Sequence, residues 1–380
     1  MILPEKNYFY AKKIPDMKLS EITDFLEGMA PKALQESYDN NGLLIGRDGH
    51  EIDKALICLD LTEAVIDEAV QEGAGLVISH HPLIFGGLKN ISGRDATGRV
   101  VMKAIKNNVA VYAIHTNLDN AFRGVNAALC DRLGLTGCRI LRPAVEKLRK
   151  LVTFCPASHA GPVREALFAA GAGHIGNYDS CSYNIQGHGT FRAGEGADPF
   201  VGGIGELHTE PETRIEVVFP AYIQERLLGA LHERHPYEEV AYDIYPLMND
   251  FGLAGAGMTG SLEKAVSEEA FLLSVKKLLG TPVIRHSRLT GNKVRKVAVC
   301  GGSGSFLIPD AIRTGADVFV TADIKYHQFF EAEGKMLLAD AGHYETEQFA
   351  KDLLYKWLNE KFPTFALRIS ECNTNAVHYL

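Results

Sequence analysis

Residues 54–81 and 296–323 align without a gap, Lys54 on Lys296, at an offset of 242. Cys58 falls on Cys300, Gly73 on Gly315, Val77 on Phe319 and Ser79 on Thr321. Each copy reads as strand, helix, strand: KALICLD, EAVIDEAVQEG and AGLVISHH in the first, KVAVCGG, SFLIPDAIRTG and ADVFVTAD in the second. The two glycines stand where a helix C-cap belongs. The apolar runs do not alternate, as expected of strands buried on both faces. A repeated βαβ unit dictates an α/β fold with parallel strands. Each copy continues: GRVVMKAIKNN and YHQFFEAEGK read as helices, VAVYAIHT and MLLADAG as further strands. ETEQFAKDLLYKWLNEKF predicts a C-terminal amphipathic helix with Phe349, Leu353, Trp357 and Phe362 on one face.

Between the copies the texture changes. LRKLVTFCPAS, CSYNIQGHGTFRAG, TRIEVVFPAY and VAYDIYPL read as strands, GPVREALFAAGAG and IQERLLGALHERH as helices. That order, β-α-β-β-α-β, is a ferredoxin-like module, with GEGADPFVGGIGE as a long loop between its middle strands. The expected organisation is a tail at 1–17, a first α/β half at 18–140, an α+β insert at 141–247 and a second half at 248–380, the two halves forming one core. A chain of 380 residues exceeds a single typical core and accommodates this division.

The net charge of −8 gives no pervasive basic surface, which speaks against nucleic acid as a partner. No apolar run approaches the roughly 20 residues of a membrane span, and the N-terminus lacks the apolar centre of a signal peptide. Seven scattered cysteines without a CxxC read as free thiols in a reducing cytoplasm.

The first copy ends abruptly in two adjacent histidines, VISHHP. Sites in open α/β sheets gather at the carboxyl ends of strands, where His80 and His81 fall. Neighbouring side chains there diverge, so the pair can feed two metal ions, one each. The alternative is a loop where two polar residues meet. HTNLDNAFRG places Asp119, a hard oxygen ligand or a helix N-cap, after another strand. DAGHYETEQF places His343 and Glu347 four apart on one face of a helix start, either as ligands or as a solvated first turn. Three histidines and two carboxylates suit Zn, Fe, Mn or Co. They leave room for water, as in a catalytic site.

In order, ESYDNNGLLIGR, VISHHPLIF, HTNLDNAFRGVN, TADIKYHQ and DAGHYETE resemble the motifs of the NIF-three-like dinuclear-metal-centre proteins, also called GTP cyclohydrolase 1 type 2 homologues. Tyr38 stands in place of the family's usual Trp. The resemblance runs from about Lys18 onward. It implies that His80, His81, Asp119, His343 and Glu347 hold two divalent ions per chain. It also implies a toroidal homohexamer with its metal sites facing an internal cavity, and a PII/CutA-like insert. Asp323, at the repeat position of His81, is a candidate for orienting a ligand or moving a proton, or a helix N-cap. His327 and His115 are further candidates.

Two functions compete. One is a metal-dependent hydrolase acting on a nucleotide or phosphoester-like small molecule. The other is a non-enzymatic, metal-stabilised hexamer whose insert senses a ligand or binds a partner. The run CGGSGSF can bind phosphate at a helix N-terminus or simply form a tight turn. No P-loop is present.

Overall fold

A computed structural model describes residues 17–380; the expected tail lies outside the described residues except for Met17. The chain divides into two compact units, residues 1–142 with 255–380, and residues 143–254.

Among the described residues the first unit contains a two-stranded sheet, Met17–Lys18 with Glu51–Ile52, and two larger sheets. One has five strands in the order Ala366–Ile369, Lys54–Cys58, Leu76–Ser79, Ala110–Ala113, Gly42–Ile45. The other has six, in the order Arg285–His286, Leu337–Asp340, Val318–Ala322, Lys293–Ser303, Phe251–Ser267, Thr136–Ala144. The repeat is visible residue by residue. Ala55 pairs with Leu76, Leu56 with Val77 and Ile57 with Ile78. Val297 pairs with Val318, Ala298 with Phe319 and Val299 with Val320. These partners are related by the same offset, so both copies pair in one register. Gly73 and Gly315 adopt φ values of 69° and 70°, the left-handed geometry that lets glycine close a helix. In each sheet the last parallel strand of the repeat is flanked by an antiparallel edge strand, Gly42–Ile45 in one and Arg285–His286 in the other.

The strands are apolar because both faces are covered. Leu56, Val77 and Val111 pack with Val65 and Ile66 of the helix Glu63–Glu72 in one core. Val297, Val299, Val318 and Val320 pack with Phe271 and Val275 of the helix Glu268–Leu279 in another. The copies also diverge. Where the first has the α-helix Ala96–Lys106, the second has only the 3-10 helix Tyr326–Ala332 in place of the expected α-helix. Left-handed residues at Asp323 and Glu333 bracket that segment. The C-terminal helix is Ala350–Lys361, and it buries Ala350, Leu354, Trp357 and Leu358. Its inward face is thus rotated from the expected one: Leu354 and Leu358 are enclosed, whereas Leu353 is only partly buried.

The second unit follows the β-α-β-β-α-β order: strand Leu148–Pro156, helix Ala160–Ala169, strands Tyr183–Arg192 and Leu207–Pro220, helix Gln224–Arg234, strand Tyr242–Leu247. The four strands form one antiparallel sheet, with the fourth beside the first and the second at the far edge. Both helices pack through Val163, Leu167, Leu227 and Leu231 onto Leu151, Ile215 and Val217.

Candidate metal centre

Within the first unit, the carboxyl ends of the parallel strands in the two larger sheets supply one cluster. His80 and His81 follow the strand Leu76–Ser79, His115 follows Ala110–Ala113, and Asp119 lies in the short helix Thr116–Asn120. His343 and Glu347 open and close the helix His343–Glu347, which follows Leu337–Asp340. Ligand atoms of His80, Asp119 and Glu347 lie within 4.8 Å of one another, and so do those of His81, His343 and Glu347. A third such group is His80, His81 and His115. All five residues expected to hold metal are therefore brought together, with His115 beside them. His327 is exposed on the 3-10 helix against Tyr326 and Phe330 and does not join.

Each imidazole is anchored through Nδ1. His80 donates to the Ile114 carbonyl at 2.8 Å, His81 to Asp60 at 2.7 Å, His115 to Asp39 at 2.9 Å and His343 to Asp323 at 2.7 Å. Carboxylate or carbonyl acceptors on Nδ1 fix the ring and turn Nε2 toward a metal. Asp39 also accepts from the Thr116 N–H and hydroxyl, and the Asn41 side chain accepts from the His115 N–H. The motif ESYDNNGLLIGR thus acts by holding His115. Sequence reasoning missed Asp39 and Asp60. Asp60 had a signal, since it ends a repeat strand at the position matching Gly302.

The rings of His80 and His81 lie 4.9 Å apart, closer than strand alternation implies. The strand ends at Ser79, so alternation no longer governs the pair. Glu347 is the shared member. Its Oε2 lies 3.0 Å from Nε2 of both His81 and His343 and 3.9 Å from Nε2 of His80.

The fully buried ring of His80 provides the test for a cation. Its Nε2 and the Asp119 Oδ1 are buried without a hydrogen-bond partner and face each other at 3.6 Å. Burial lowers the His80 pKa to about 3, so Nε2 is an unprotonated lone pair aimed at a carboxyl oxygen. Burial and the charge of Glu347 raise Asp119 well above the usual carboxylate range. Burial opposes a charge on His81 and His343 too, but their carboxylate partners outweigh it and raise them to about 9 and about 11. Glu347, despite its burial, is held well below its usual value by His343 and His81. Protons on His81 and His343 occupy the positions a dication would take. Oriented imidazoles, two carboxylates and two orphaned acceptors fit divalent metal.

Two N–H donors of the glycine run are engaged within the protein: those of Gly301 and Gly302 bond to Asn126 and Thr346, and the α-helix that follows, Ile308–Arg313, is short. Gly302 has another role: a side chain there would overlap the Glu347 carboxylate. A cavity of about 820 Å3 opens above the cluster, with Tyr38, Phe85 and Phe306 in its walls. The Trp-to-Tyr exchange at position 38 thus keeps an aromatic wall.

Paired parallel sheets converging on a histidine–carboxylate cluster define an α/β protein with a candidate metal centre. The model of the Duf34/NIF3 (NGG1p interacting factor 3) family matches residues 17–376, and the chain belongs to that family. It is 42% identical over 345 residues to a GTP cyclohydrolase 1 type 2 homolog of Halalkalibacterium halodurans, covering 90% of this chain and 93% of that one. A Bacillus subtilis protein of the same name is 39% identical over 366 residues, covering 95% and 98%. A solved Bacillus cereus protein related to NIF3 superposes with a TM-score of 0.84 at 40% identity, covering 97% and 100%. No helix among the described residues is long and apolar enough to cross a membrane.

Proposed function

We propose that this chain binds two divalent metal ions through His80, His81, Asp119, His343 and Glu347 and hydrolyses a nucleotide or phosphoester-like small molecule. The observation that carries the reading is the buried pair His80 Nε2 and Asp119 Oδ1, which lack hydrogen-bond partners and which a bound cation would bridge. Bound ions supply an activated water and polarise the substrate oxygen. The chain does the rest. Asp60 and Asp323 fix the rings of His81 and His343 by holding their Nδ1 protons. His115, anchored by Asp39, aims Nε2 into the same space and can carry a proton there. The cavity offers an aromatic-lined volume large enough for a nucleotide. The names of the relatives, GTP cyclohydrolase 1 type 2 homolog, are consistent with a nucleotide.

A toroidal homohexamer in the cytoplasm belongs to the same reading, supported by the family resemblance and by seven free cysteines. The insert is read as a PII/CutA-like module on the strength of its strand order. Metal analysis of the reloaded protein should approach two equivalents per chain. Metal-replete protein should then turn over a member of a panel of nucleotides and phosphoesters, and light scattering should give a hexamer. Full metal content with no turnover across the panel would favour the second reading, a metal-stabilised assembly with a ligand-sensing insert.

A further inference from the structure

The inserted unit holds a cavity of its own, of about 680 Å3. Strands Tyr183–Arg192 and Leu207–Pro220 form its floor, and Phe154, Phe191, Phe200 and Tyr237 stand around it. Phe191 and Phe200 lie with ring centroids 6.2 and 6.3 Å from Tyr237, tilted by 59° and 52°, so aromatic surface is left open. One charged group is enclosed, Glu212, at 8% exposure. A carboxylate at that depth requires donors. The Tyr237 hydroxyl gives one, to Oε1 at 2.8 Å, and no other side chain donates to Glu212 among the described residues. A carboxylate has about four acceptor positions, so capacity remains toward the cavity. Burial and the nearby Glu212 hold the Tyr237 phenol protonated, as a donor.

The sequence makes room for this carboxylate. In the motif Gly187-His188-Gly189, a side chain on Gly189 would overlap Glu212 Oε2. Other charges sharpen the preference. Arg214 is engaged by Glu216 at 2.8 Å, and among the exposed charges of the lining the single Arg192 is outnumbered by Glu238 and Glu239. The interior therefore favours a donor or cation over an anion.

We propose that this cavity binds a small planar aromatic or heteroaromatic molecule bearing an amidine-type pair of N–H donors, the pair bonding to Glu212 and the ring lying against Tyr237, Phe191 and Phe200. Paired donors match the two oxygens of a carboxylate, and tilted rings favour an aromatic guest.

The test titrates the full-length protein with benzamidine and with guanosine, which carries such a pair on an uncharged ring. Benzoate, with the opposite sign, is the control, and calorimetry is the readout. Saturable one-site binding of benzamidine or guanosine, with none of benzoate, is expected. Glu212→Gln should weaken it roughly ten- to a hundredfold, the worth of a charge-assisted hydrogen bond. Phe200 is 50% exposed, so Phe200→Ala should weaken binding without unfolding the chain, and it decides the matter if Glu212→Gln misfolds. Asp119→Ala, at the metal centre, should leave binding unchanged. Benzoate binding as tightly as benzamidine, no binding of either donor probe, or affinity indifferent to Phe200→Ala and to a folded Glu212→Gln overturns the proposal.

Discussion

Glu347 is the residue through which the two ligand groups communicate, because its Oε2 approaches both His81 and His343 at 3.0 Å while its carboxylate also completes the group with His80 and Asp119. Glu347→Ala should therefore empty both ion positions. His80→Ala and His81→Ala should each deplete mainly one, read by anomalous scattering from crystals of each variant. Loss of the same ion in both would make the two histidines co-ligands, an arrangement that their 4.9 Å ring separation allows. Removing an anchor acts at one remove: Asp60→Ala or Asp323→Ala should weaken metal binding by about 10–100-fold, measured by competition with a chelator. The same pairs set a pH response in the stripped protein. His81 and His343 are raised to about 9 and about 11 from an unfolded value near 6.5. Between those limits the folded state binds more protons than the unfolded one, so stability falls as pH rises. Melting temperature in EDTA should drop between about pH 7 and about pH 10, and Glu347→Gln should flatten the slope. An equal slope in both proteins would place the response elsewhere.

At the level of elements, the site exists because five parallel strands end at it: Lys54–Cys58, Leu76–Ser79, Ala110–Ala113, Val318–Ala322 and Leu337–Asp340. The strand Lys293–Ser303 contributes an absence. Its Gly302, at φ 59°, leaves the volume that Glu347 occupies. The matching residue of the first copy is Asp60, which instead anchors His81. One repeat position thus serves opposite ends in the two copies, an anchor in one and a space in the other. Gly302→Ala should displace the carboxylate and cost about 1 kcal/mol in backbone strain. The expected result is a folded protein with both ions weakened, seen as near-wild-type circular dichroism with reduced metal content. Full metal occupancy in that variant would contradict the role given to Gly302.

At the level of the whole molecule, the two repeat halves are not separate bodies. The strand Ala366–Ile369 pairs in parallel with Lys54–Cys58, so the C-terminus completes the first sheet. The strand Thr136–Ala144 joins the second. Truncation at residue 365 should consequently damage the first half rather than the second. The insert leaves and re-enters the first unit on two adjacent strands, Thr136–Ala144 and Phe251–Ser267. Excising residues 143–254 and bridging the gap with a short linker should give a folded core that still binds metal. An insoluble or metal-free product would show that the units depend on each other.

What the sequence determined by itself was whatever local pattern and repetition encode. The offset of 242 predicted two matching βαβ units, and apolar runs ending in polar residues marked His80, His81 and Asp119 at strand ends. The i, i+4 spacing of His343 and Glu347 was equally readable, because one helical turn fixes it. Tertiary structure alone decided which Nδ1 meets which acceptor. Asp39 and Asp60 are 76 and 21 residues from the imidazoles they hold, and no local period relates such pairs. It decided the inward face of the C-terminal helix, where packing against neighbours chose Leu354 over Leu353, and the 3-10 form of Tyr326–Ala332. It also decided the exchange of strands between halves, since a parallel partner can come from any distance along the chain. Nothing in the composition of ALRI names the strand it must join.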